Sequence, residues 1–110
     1  MMKLAMSPAA AGLLRSLLAR AGVDRNRILL SDFRSTEWNS LTFAGERHEI
    51  TLRIPGPAAA AVAKLLVDGL EEADFTIPAQ IVADIGLIRA PSDQPDGSIL
   101  VEIEALTVAE

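Results

Sequence analysis

His48 is the only histidine in 110 residues, and it stands in the tripeptide Arg47-His48-Glu49. An imidazole beside a carboxylate is a minimal set for moving a proton near neutral pH. A serine–histidine relay or a histidine-based metal site needs more partners than one imidazole supplies. There is no cysteine, which excludes disulfides, thiolate nucleophiles and cysteine-bound zinc. His48 shares its phase with Ile50, Leu52 and Ile54. Side chains alternate across a strand, so His48 is expected on a core face as a partly buried structural residue. No catalytic residue, cofactor or metal ligand is assigned.

Carboxylates are the next residues that could do chemistry. Glu102 and Glu104 are two apart in one alternating stretch, and Asp84 lies on the polar phase of another. Brought together, the three would raise one another's pKa and could bind a cation or act as acid and base. A solvated sheet face is the plainer reading. The sharper alternative is a small-ligand-binding or weakly catalytic domain using this acidic side with Arg53. No loop-type cation motif and no glycine-rich phosphate loop accompanies them. Pro55-Gly56-Pro57, ahead of a helix, offers few free N–H groups.

These residues must be positioned by strands. The stretch from Trp38 to Ile54 reads as a β-hairpin turning at Gly45-Glu46, since glycine at the first central position suits a type II′ turn. In that register Phe43 faces His48, Leu41 faces Ile50, and Trp38 stands opposite Arg53. Leu41, Phe43, His48, Ile50, Leu52 and Ile54 form the core face. Trp38, Ser40, Thr42, Glu49, Thr51 and Arg53 form the open one, joined by Val82, Asp84, Ile88, Leu100, Glu102, Glu104 and Leu106. Tryptophan and arginine are common contact residues and can stack. Trp38, Thr42, Glu49, Thr51 and Arg53 are therefore the expected interaction surface.

The rest of the chain supplies the other layer. Residues 1–6 read as a loose lead-in. Ser7-Pro8 opens a helix whose Ala10, Leu13, Leu14, Leu17, Leu18 and Ala21 follow helical spacing, and Gly22 stops it. Arg27–Phe33 reads as a strand of ambiguous phase, and Arg34–Glu37 as a polar connection. Pro57 starts a second helix, with Ala58, Ala61, Val62, Leu65, Leu66, Gly69 and Leu70 inward. From Phe75 the period becomes two, odd residues inward, with pairing from near Gln80 because Pro78 cannot donate. Pro91–Gly97 is a turn-rich loop, and Ser98–Val108 is the last strand. The expectation is one α+β domain over residues 1–110. It has two layers: an antiparallel sheet of four to five strands, and two helices on one face. If 27–33 is not in the sheet, the arrangement is a permuted ferredoxin-like one. Both halves begin Pro-Ala-Ala-Ala and run helix then hairpin, a faint internal echo.

Half the residues are apolar and mean hydropathy is +0.30, which argues against a disordered chain. Net charge is −5. Residues 1–56 hold eight Lys/Arg against five Asp/Glu, and residues 57–110 hold two against ten. An acidic total argues against nucleic-acid binding. The element order over residues 7–70, helix–three strands–helix, is similar to that of double-stranded-RNA-binding domains. Their second helix starts with a lysine cluster, whereas here Pro57-Ala58-Ala59-Ala60-Ala61 stands there and Lys64 is the nearest lysine. No apolar run approaches a membrane span. Lys3 and the run from Leu4 to Leu14 resemble a signal peptide, but Pro8 interrupts the run and Arg15 and Arg20 follow it at helical spacing, so the expected location is the cytoplasm. Ser40-Leu41-Thr42-Phe43 and Gly45-Glu46-Arg47-His48 resemble segments of small uncharacterised bacterial proteins, a likeness that implies no activity. The expected function is non-catalytic protein association, as a homodimer through the open sheet face or an edge.

Overall fold

The computed structural model describes residues 5–110. The expected lead-in falls outside the described residues for 1–4, Lys3 included. Helix α1 spans Pro8–Ala21, with Pro8 in its first turn. The Ser7 hydroxyl caps it by accepting from the Ala10 N–H at 3.1 Å, and Gly22 ends it at φ 67°, the left-handed region that favours glycine. Its buried face includes Leu13, Leu17 and Ala21.

The hairpin differs from the expected one. Strand β1 runs Leu29–Asn39 and β2 runs Ala44–Ile54. The turn is Ser40–Phe43, where the Ser40 N–H donates to the Phe43 carbonyl at 2.9 Å and the Ser40 hydroxyl accepts from the Phe43 N–H at 3.0 Å. The Phe43–His48 register is thereby replaced: Ser35 faces His48, Phe33 faces Ile50, and Trp38 faces Gly45 rather than Arg53. Leu41 and Phe43, expected in the core, are 104% and 56% exposed at the tip. Gly45 sits inside β2 for a steric reason. A Cβ there would lie 2.1 Å from the Thr107 carbonyl oxygen, so the glycine marks a close backbone approach and not a turn. The supposed connection Arg34–Glu37 is mid-strand. It tolerates polar residues because β1 is an edge strand.

Helix α2 covers Ala59–Val67 and is shorter than expected. Gly69 adopts φ 70°, and a 3₁₀ turn follows at Leu70–Glu72. Its buried face is Ala59, Val62, Ala63 and Leu66. Ala61 and Leu65 are exposed instead, a rotation that a nearly all-apolar helix conceals in sequence. Arg20 ties the two helices together: its Nε donates to the Leu66 carbonyl at 3.1 Å and its Nη2 to the Asp68 carbonyl. These carbonyls belong to the open end of α2.

Strand β3 is Gln80–Leu87, β4 is the two-residue Ser92–Asp93, and β5 is Ile99–Ala109. The strand order is β1-β2-β5-β3, with β4 also on β5 and every pairing antiparallel. An irregularity between Val82 and Asp84 shifts the phase of β3. Val82 therefore packs against the core, and Ile81, expected inward, is 53% exposed. Residues 29–33 are in the sheet, contrary to the condition set for a ferredoxin-like order, but they only lengthen the first hairpin strand, β1, and add no separate strand. With the helices on one face, the order and direction of the four long strands match the permuted ferredoxin-like arrangement. Two strands, not three, separate the helices, so the order seen in double-stranded-RNA-binding domains is absent. The two helix–hairpin halves occupy equivalent places, β2 and β5 central and β1 and β3 outside. The core lies between the helices and the inner face of β2, β5 and β3, where Leu52, Ile54, Val101 and Ile103 are wholly buried.

Candidate functional site

The one imidazole is a joint of the sheet. His48 is 1% exposed. Its Nδ1 lies 2.8 Å from the Ser35 hydroxyl on β1, and its Nε2 lies 2.8 Å from the Thr107 hydroxyl on β5. A neutral imidazole donates from one nitrogen and accepts at the other, and hydroxyls can take either part. Both tautomers are therefore fully bonded, and His48 pins β2 to both neighbours. Burial pushes its pKa below the ordinary value, opposed by the nearby Glu46 carboxylate. Glu46 accepts from the Ser7 hydroxyl at 2.7 Å, at the start of α1 where the helix dipole favours an anion. A serine bonded to a histidine could serve a nucleophile, but the surface hollows are lined by other residues, such as Val67 with Leu87, Ala60 with Asp96, and Arg20 with Thr76.

The face of the sheet turned away from the helices is uncovered, and the register arranges it in rows. One row is Trp38, Gly45, Val108, Ile81, and the next is Thr36, Arg47, Leu106, Asp84. Arg34, Glu49, Glu104 and Gly86 form a third, and Asp32, Thr51 and Glu102 lie in a fourth. Trp38 is half-buried in the first row, where Gly45 puts no side chain between it and Val108. Val108 is only 8% exposed despite its place on this face.

The expected surface residues divide. Glu49 and Thr51 lie on the open face with Trp38, in separate rows, whereas Thr42 is in the hairpin tip. Arg53 is on the open face beside Leu29 and Leu100. Its guanidinium donates to Asp96 at 3.0 Å and to the Ser98 hydroxyl at 2.8 Å. The Ser98 hydroxyl and N–H both donate to Asp96 and, with Arg53, hold that carboxyl below its usual range. Arg53 thus anchors the loop before β5. The acidic residues are spread over three rows. Glu102 is paired with Arg89, Glu104 faces Gly86, and Asp84 faces Leu106. Among the described residues no group of three His, Cys, Asp or Glu side chains could hold a metal ion.

The edge strand β1 is the feature that sequence reasoning missed. Among the described residues it pairs with β2 alone along its 11 residues. Leu29 and Leu30 are 46% and 41% exposed, and Phe33 is only partly buried against the core. Its Asp32 and Arg34 belong to no ion pair or side-chain hydrogen bond among the described residues. A mixed polar run gave no sign of an edge. Thr107, a polar residue on the inward phase of β5, was the one signal for the His48 network.

No helix among the described residues is long and apolar enough to cross a membrane. No protein-family model matches the sequence, and no match is found among curated proteins.

Proposed function

We propose that this protein works by association with a second copy of itself, through the sheet surface its helices leave uncovered, and that it has no catalytic centre of its own. The supporting observation is the incompletely covered sheet. Its outer face carries Trp38 and Ile81 in one row, and its edge strand exposes Leu29 and Leu30. Apolar side chains on an uncovered sheet face and an edge strand left open among the described residues are features that contact surfaces share. The cysteine-free chain suits a reducing compartment such as the cytoplasm. Light scattering on protein eluting from a sizing column tests the reading. A dimer mass at tens of micromolar is the expected result. A strictly monomeric mass at that concentration removes the proposal.

A further inference from the structure

Resting on that reading, we infer that the second copy adds to the β1 edge about a two-fold axis through Phe33, so that Asp32 of each copy lies opposite Arg34 of the other. The inference starts from which strand is open. Both long edges belong to β1 and β3, but β3 is eight residues long and carries an internal irregularity. Strand β1 is longer, and from Asp32 to Asn39 its ladder with β2 is regular. Along that edge every second residue turns its N–H and C=O away from β2, which leaves a row ready to pair.

Two copies of one strand pair antiparallel about a two-fold axis normal to the sheet. Both copies then show the same face upward, so residues directly opposite must share a face. That restricts the axis to pass through a residue rather than between two. An axis at Asp32 or at Arg34 sets like charges against each other, which is unfavourable across a ladder. At Ser35 the axis puts Phe33 against Glu37 and Asp32 against Trp38. With the axis at Thr36, the copies overlap only toward the hairpin tip and leave Leu29 and Leu30 bare. The Phe33 axis alone sets opposite charges together, twice by symmetry. It also joins apolar surface. Phe33 and Leu30 are on the core face, beside Ile50 and Leu52. The irregularity between Leu30 and Asp32 brings Leu30 opposite Ser35 of the second copy. The two Leu30 and two Phe33 side chains then form one strip across the seam, continuing the core from copy to copy. Asp32 and Arg34, unpaired among the described residues, become paired.

The chain's lack of cysteine gives a direct test of register. Opposed cross-strand Cα atoms are about 4.5–5.5 Å apart, within disulfide reach, whereas residues offset by two positions lie about 8 Å apart, beyond it. Asp32→Cys protein mixed with Arg34→Cys protein should cross-link under mild oxidation at least tenfold faster than either alone. Arg34→Asp and Asp32→Arg should each weaken the dimer at least tenfold by light scattering and dilution, and the double swap should return it to within threefold. Arg34 also neighbours Glu49 within its own chain, so Asp32→Arg is the cleaner single change. A dimer indifferent to both reversals, or cross-linking faster in either single-cysteine protein, overturns the register and leaves self-association through the open face. A monomer under all conditions removes both.

Discussion

At the scale of single residues, His48 is the most informative side chain. It is the only histidine and therefore the only side chain whose ordinary pKa lies between pH 5 and 8. Its folded pKa is lowered from 6.5. As pH falls, the unfolded chain takes up the proton first, so stability is full above about pH 6.5 and declines as pH drops through that value toward the folded pKa. Urea unfolding at a series of pH values between about 7.5 and 5.5 should show this decline in the native protein, and His48→Gln should flatten it. Truncation is a separate matter. His48→Ala leaves the Ser35 and Thr107 hydroxyls without their partner and opens a void, a loss of about 2–4 kcal/mol in the same measurement. The inward placement of His48 was readable from its phase with Ile50, Leu52 and Ile54. Its hydroxyl partners were not, because Ser35 and Thr107 meet it only through pairings 13 and 59 residues apart.

At the scale of elements, the turn into β3 carries a local conflict. Ile77-Pro78-Ala79-Gln80 closes with the Gln80 N–H donating to the Ile77 carbonyl at 3.1 Å, and Ala79 takes φ 63°. Proline followed by a positive φ is the pattern of a type II turn, which favours glycine at the second central position. Ala79→Gly should therefore raise the thermal midpoint, by about 0.5–1 kcal/mol of stability; an unchanged or lower midpoint would contradict the strained reading. The same rules show which elements were legible. Helix α1 was plain because Ser7, Pro8 and Gly22 punctuate a strictly periodic apolar face. Strand β5 was plain because Ile99, Val101, Ile103 and Ala105 alternate without a break. The first hairpin was misread because Gly45, a steric requirement at a strand crossing, carries the same letter as a turn glycine, while the true turn is made by a serine hydroxyl. Irregularities in β1 and β3 are invisible to a strict period of two, which is why Ile81 and Val82 exchanged faces.

At the scale of the whole molecule, dimension and charge bear on association. The protein measures 46 × 39 × 23 Å, and the short axis is that of a sheet with one layer of helices. If two copies associate, folding and binding are linked, and the apparent melting temperature must rise with protein concentration. Raising the concentration from about 1 to about 100 μM should shift the midpoint upward by several degrees, since a tenfold change above the dissociation constant adds about 1.4 kcal/mol. A midpoint independent of concentration would count against a dimer. The placement of β5 has a consequence of another kind. Strands β1, β2 and β3 all leave the ribosome before it, yet β2 and β3 meet only through β5. Until residues 99–109 emerge, the growing chain holds a hairpin and a lone strand whose inner edges are both open to wrong partners. The sheet therefore closes at its middle, in a step that must wait for β5.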